Sequence, residues 1–155
     1  MSDFVICDAE QNDGKRIAEL EKMYFSEPWS EKSVIDEINA ENSIFLVCRN
    51  TENIVLGYVS GRNNCGEFYI NNIAVDENYR KNGLGFLLMS EIISRAKKSD
   101  CLFLTLEVRA LNTAACGLYE KCGMKKVGVR RNFYRHPTED AVLYTVYFNK
   151  TENIQ

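Results

Sequence analysis

A mixed α/β sheet with helices packed on it, built as one domain over residues 1–155, is the fold class this sequence predicts. Three observations lead there. Short apolar runs bounded by polar turns alternate with helical repeats in the order βααβββαβαββ. Leu84, Leu88, Ile92 and Ala96 recur every four residues, with Leu87 beside them, and mark a strong amphipathic helix. At 155 residues and 45% apolar composition, the chain is long enough for one core and too hydrophobic for disorder.

Each element has a local reason. Phe4 to Cys7 is a short apolar run suited to a first strand, and Gly14 to Phe25 sets Ile17, Leu20 and Tyr24 at helical spacing. Ser26-Glu27-Pro28-Trp29 breaks that pattern. Ser30 stands where it can cap a second helix whose Val34, Ile35 and Ile38 share one face. Ile44 to Arg49 and Ile54 to Gly61 read as strands joined by the polar turn Asn50 to Asn53. After an Asn63-Asn64 turn, Glu67 to Val75 reads as a longer apolar strand. The strong helix spans Gly83 to Lys98, and Cys101 to Val108 follows as a buried-strand candidate. Asn112 is placed to cap a short helix over Thr113 to Lys121, and Gly123 suits the left-handed position after it. Val127 to Val129 and Ala141 to Phe148 supply the last strands.

Composition excludes several classes of function. No apolar run approaches the ~18 residues that span a bilayer, and Met1-Ser2-Asp3-Phe4 lacks a secretory pattern, so a cytoplasmic protein is expected. The six cysteines form no C-x-x-C pair and His136 is the only histidine, which predicts buried free thiols and neither a disulfide framework nor a metal site. One histidine and no G-x-S-x-G elbow argue against a hydrolase triad. The net charge of -3 hides an asymmetry, with residues 1–60 acidic and the rest basic, and Lys121 to Thr138 carries six bases and no acid. That pattern reads as a solvated face or as separate regions for a cationic and an anionic ligand; a chain this acidic overall does not predict nucleic-acid binding.

Arg80-Lys81-Asn82-Gly83-Leu84-Gly85 lies between a strand and the strong helix. Two glycines let backbone approach a ligand closely, and the helix start adds exposed N–H groups and a fractional positive charge. A pyrophosphate fits such a turn. The G-x-x-x-x-G-K-[ST] pattern is absent, as is the third glycine of the dinucleotide fingerprint.

Taken together, Asn72-Ile73-Ala74-Val75-Asp76, Arg80-x-x-Gly83-x-Gly85, Leu106-Glu107-Val108-Arg109, Asn112 and Leu118-Tyr119-Glu120-x-x-Gly123-Met124 resemble the GCN5-related N-acetyltransferases. Pro28-Trp29-Ser30-Glu31-Lys32 and Arg130-Arg131-Asn132-Phe133-Tyr134 narrow the resemblance to the RimI-like ribosomal-protein alanine N-acetyltransferases, over residues 4–148. The resemblance implies a sheet whose central parallel strands splay to admit acetyl-CoA. It also implies that Ile73, Ala74 and Val75 pair with the pantetheine arm. Arg80, Lys81, Asn82, Gly83, Leu84, Gly85 and Phe86 would then cradle the pyrophosphate, and Asn112 would reach toward the thioester. Trp29 and Tyr134 are implied as walls of the acceptor cleft. The implied acceptor is a protein N-terminus, alanine of a small-subunit ribosomal protein, and no metal is required.

The reaction sets two needs. A peptide α-amine has a pKa near ~7.7–8.0, so a base must take its proton before it attacks a thioester, and the departing thiolate gains from a nearby donor. The resemblance assigns these roles to Glu107 and Tyr119. From the residues alone, Glu107 could equally face solvent or pair with Arg109, and Tyr119 could be a core aromatic. Two positions depart from the family pattern: Cys116-Gly117, which sets a glycine inside a helix, and Arg135-His136-Pro137 on the acceptor side. The alternatives are an acetyltransferase for another amine (polyamine, amino acid or lysine) and a non-catalytic CoA-binding module.

Overall fold

The computed structural model describes residues 3–148. Seven strands and four helices run in chain order as β1 (Phe4–Asp8), α1 (Gly14–Tyr24), α2 (Glu31–Ile38), β2 (Ser43–Asn50), β3 (Val55–Asn64), β4 (Glu67–Val75), α3 (Leu84–Lys98), β5 (Phe103–Arg109), α4 (Thr113–Lys121), β6 (Lys125–Tyr134) and β7 (Glu139–Tyr147). The expected order holds throughout. Single 3-10 turns over Gln11–Asp13 and Glu77–Tyr79 add to it. Caps fall where expected: Ser30 accepts from the Ser33 N–H, Asn112 accepts from the Ala115 N–H, and Gly123 has φ 89°.

One turn sits elsewhere. Asn63 and Asn64 belong to β3, and the reversal is made by Cys65 (φ 55°) and Gly66 (φ 91°). Two consecutive left-handed residues are what a two-residue hairpin requires, so strand twist overrides the poor turn preference of cysteine. β6 is also far longer than Val127 to Val129. Its residues are largely exposed, so apolar patterning is weak along it, and pairing with β7 holds it.

The sheet order is β1-β2-β3-β4-β5-β7-β6. Helices cover both faces. Ile17, Leu20 and Val34 of α1 and α2 pack on Phe45, Val47, Tyr58 and Ala74. Leu84, Leu88, Ile92 and Ala96 of α3 and Tyr119 of α4 pack with Leu46, Leu56, Phe68, Leu104 and Leu106 on the other. Only β4 and β5 are parallel neighbours, and they pair for just three residues, Glu67–Tyr69 against Phe103–Thr105. Beyond Tyr69 they part. β4 continues on β3 as far as Val75, and β5 continues on β7 as far as Arg109, which leaves a gap through the middle of the sheet.

Of the six cysteines expected to be buried, Cys48 and Cys101 are; Cys7, Cys116 and Cys122 are half-buried, and Cys65 is exposed at the hairpin tip. No two of them form a disulfide. Burial, with Cys7 adding to it, pushes Cys48 up to about 11. No helix among the described residues is long and apolar enough to cross a membrane.

Candidate active site

Along β4 the peptide groups alternate between its two neighbours. The Asp76 N–H bonds to the Leu56 carbonyl, so Ala74, two residues back, also turns its peptide groups to β3. Ile73 and Val75 therefore face the gap. Of their groups, the Val75 carbonyl already accepts from Arg80 Nε at 3.1 Å. Ala74 itself is buried against α1 and α2.

The turn that leads into α3 follows directly. Lys81 (φ 69°) and Gly83 (φ 79°) are both left-handed, which brings successive N–H groups toward one concavity. Gly83 offers no side-chain cap, and the first bond of the helix runs from the Leu87 N–H to the Gly83 carbonyl. The N–H groups of Leu84, Gly85 and Phe86 are thus left without helical partners. A Cβ on Gly85 would lie 3.1 Å from Leu118 Cδ2, so this glycine lets α3 and α4 approach closely. Asn82 braces the turn by donating to the Tyr79 carbonyl at 2.9 Å. Arg80 stacks on the Tyr24 ring at 4.5 Å, and Lys121 lies 5.3 Å from the Phe86 ring. Open donors, the exposed cations Arg80 and Lys81 and a fifteen-residue helix dipole fit a pyrophosphate.

The two faces meet at the gap. Leu104, Leu106 and Val108 point into the α3–α4 core, so Glu107 and Arg109 project on the α1–α2 side. Glu107 pairs with Arg130 of β6 at 3.2 Å, not with Arg109. Arg109 is engaged elsewhere. It donates to the carbonyls of Pro137 (2.9 Å) and Arg135 (3.0 Å), to Glu139 (3.2 Å) and to Ser26 Oγ (3.4 Å), and its guanidinium lies 4.6 Å from the Tyr134 ring. It holds the 135–138 turn, Tyr134 and the loop after α1 together. Burial, and next the Glu107 charge, push Tyr134 up to about 12.

Tyr119 comes from the opposite face. It is buried on α4 with its ring 5.9 Å from Tyr144, and burial above all, then its neighbours Tyr134, Cys116 and Cys122, hold its hydroxyl well above the ordinary tyrosine range. It is a neutral donor at physiological pH. Asn112 commits its Oδ1 to capping α4, which leaves its amide nitrogen as the available group. Trp29 packs half-buried on the α1–α2 core.

An acetyltransferase (GNAT) family model matches residues 14–124. This chain belongs to the GNAT acetyltransferase family. It is an acetyl-CoA-dependent N-acetyltransferase. Among relatives of this GNAT enzyme is the [ribosomal protein bS18]-alanine N-acetyltransferase of Escherichia coli strain K12, 34% identical over 78% of this chain and 79% of that protein. The N-alpha-acetyltransferase RimI of Mycobacterium tuberculosis is 33% identical over 83% of each. Among solved structures, the ribosomal-protein-S18-alanine N-acetyltransferase from E. coli superposes with a TM-score of 0.84 at 29% identity, over 93% of each chain.

Sequence reasoning missed two features of the surroundings of the gap. The Arg109 clamp was visible only as an arginine two residues after Glu107, with nothing to choose its partner. Glu21 was hidden inside an amphipathic helix, where a glutamate normally faces water. It is fully buried and accepts from the Tyr58 hydroxyl, from Asn72 Nδ2 at 2.7 Å and from the Trp29 N–H at 2.9 Å.

Proposed function

We propose that this enzyme acetylates the α-amine of a protein N-terminus, an alanine-initiated small-subunit ribosomal protein of the bS18 kind. The observation that carries the reading is the gap between β4 and β5, with Glu107 on one face of the sheet and the buried, neutral Tyr119 on the other. The names of the relatives, bS18-alanine N-acetyltransferases a third identical over most of the chain, support the choice of acceptor.

Acetyl-CoA supplies an activated acyl group. Ile73 and Val75 align its pantetheine arm along the open edge of β4, the turn from Arg80 to Phe86 holds the pyrophosphate, and the Asn112 amide donates beside the arm. Trp29 and Tyr134 flank the incoming N-terminus. Glu107 takes one proton from the α-amine, directly or through water. The neutral amine nitrogen then bonds to the acetyl carbon as the C–S bond breaks; the Tyr119 hydroxyl gives its proton to the departing sulfur, and the proton that the nitrogen sheds on becoming an amide returns to the tyrosine oxygen through water. Net, one amine proton is exchanged for the acetyl group and CoA leaves as the thiol. Arg130 lies on one Glu107 oxygen and leaves the other for the amine.

Two short peptides and mass spectrometry test this. One carries a free N-terminal alanine and an internal lysine; the other is identical but blocked at its N-terminus. Acetyl added only to the first is the expected result. Addition to both moves the enzyme to general amine transfer, and addition to neither while acetyl-CoA still binds removes the peptide-acceptor reading.

A further inference from the structure

Two buried carboxylates on the α1–α2 face take no part in the chemistry above. Glu21 of α1 is fully buried, and Glu37 of α2 is nearly so. Each holds an asparagine of β4. Asn72 Nδ2 donates to Glu21 at 2.7 Å, and Asn71 Nδ2 donates to Glu37 at 3.2 Å.

Neighbouring residues on a regular strand point to opposite faces, so both asparagines reaching these helices requires an irregularity. The register supplies it. Ser60 pairs with Asn72 and Gly61 with Ile70, which leaves Asn71 as the extra residue of a β-bulge. Phe68 and Ile70 before it, and Ile73 and Val75 after it, all pack toward α3. The bulge therefore turns the strand over between residues 70 and 73, just past Tyr69, where β4 parts from β5. Two carboxylates thus pin the place where the gap opens.

Glu37 spends its remaining capacity on a bidentate pair from Arg62 of β3, at 2.8 Å to each oxygen, whereas Glu21 reaches a loop. Its second oxygen accepts the main-chain N–H of Trp29, in the loop between α1 and α2. One carboxylate therefore ties the residue preceding Ile73, on the acetyl-CoA edge, to the wall of the acceptor cleft. A buried carboxylate is costly, and a knot that only fastened α1 to the sheet would be served as well by an apolar side chain. We propose that Glu21 is a positioning residue that aligns the acetyl-CoA strand and the acceptor loop with each other. This rests on the reading that the open edge of β4 takes acetyl-CoA and the Trp29 loop faces the acceptor.

Glu21→Met keeps the volume and removes both acceptor oxygens. Tyr58→Phe removes one donor from the same knot but leaves the Trp29 and Asn72 bonds in place, and so measures what loosening alone does. Acetyl-CoA Kd by calorimetry and peptide KM by steady-state kinetics are compared, with thermal melts confirming a cooperative fold. Glu21→Met is expected to raise both constants about tenfold, with Tyr58→Phe staying within about twofold of wild type. A folded Glu21→Met protein with both constants near wild type overturns the proposal, and so does an equal shift in Tyr58→Phe. If Glu21→Met does not fold, Asn72→Ala cuts the link from the strand side; a raised acetyl-CoA Kd supports the proposal and an unchanged one overturns it. If wild-type enzyme leaves the peptide unmodified, the acceptor reading falls separately, and acetyl-CoA Kd still decides the role of Glu21.

Discussion

In the proposed mechanism Tyr119 and Glu107 divide the chemistry by their surroundings. Burial raises the Tyr119 pKa, so the hydroxyl keeps its proton over the range in which a peptide amine loses its own. The sign follows. A group whose pKa is raised keeps its donor below that pKa and loses it only as pH climbs through the raised value. Rate with a peptide acceptor is expected to rise through about pH 8 as the amine deprotonates, then hold past about pH 10, where an ordinary tyrosine is half ionised. A decline centred near pH 9, read from kcat/KM profiles, would remove Tyr119 as the donor. Tyr119→Phe keeps the ring against Tyr144 and deletes only the hydroxyl; kcat should fall about 10²-fold with acetyl-CoA Kd unchanged. Arg109 acts at one remove. Lysine in its place keeps the charge but not the planar fork that serves two carbonyls, a carboxylate and a ring at once. Arg109→Lys should raise peptide KM about tenfold while acetyl-CoA Kd stays constant by calorimetry.

Among the elements, α4 departs from good helix design. Gly117 lies in its middle, exposed, with nothing within 4 Å of where a Cβ would sit. Gly117→Ala should therefore stabilise the protein by about 0.5–1 kcal/mol, seen as a rise of roughly 1–4 °C in Tm. A lower Tm would mean the helix is held in a form that alanine cannot share. Gly85 gives the contrast, since its Cβ would meet Leu118 and α3 would have to shift. The same distinction governs how much could be read from the sequence. Helices announce themselves through local periodicity and caps, so α1, α2, α3 and α4 were legible within a residue or two at most ends. The turn before α3, proposed for the phosphates, was legible as a turn too, because its glycines are nearly consecutive. What was not legible depends on pairing between distant strands. The Cys65-Gly66 hairpin, the length of β6, the bulge at Asn71 and the choice of Arg130 as partner of Glu107 all follow from register. No local pattern encodes them.

At the scale of the whole molecule, the gap divides the sheet into two arms, β1-β2-β3-β4 and β5-β7-β6, joined directly by three residues of parallel pairing. A ligand lying between them completes what the sheet leaves open, and its binding energy adds to the stability of the folded state alone. At a hundredfold excess over Kd, acetyl-CoA should stabilise the protein by about 2.7 kcal/mol. For a domain of this size that is a Tm rise of roughly 5–10 °C. The two halves of the ligand should respond differently to salt. In the proposed site the pyrophosphate turn would work through Arg80, Lys81 and a helix terminus, all exposed and therefore screened, whereas the edge of β4 would work through uncharged peptide groups. Raising KCl should shrink the Tm shift given by acetyl-CoA and leave that given by pantetheine, which lacks the pyrophosphate, nearly constant. Arg80→Ala should reduce the acetyl-CoA shift and flatten its salt dependence. It also frees the Val75 carbonyl, so the pantetheine shift should hold or rise in that variant. Equal salt dependence for the two ligands would mean that the turn before α3 does not hold the phosphates, and the anion site would have to lie elsewhere on the basic C-terminal half.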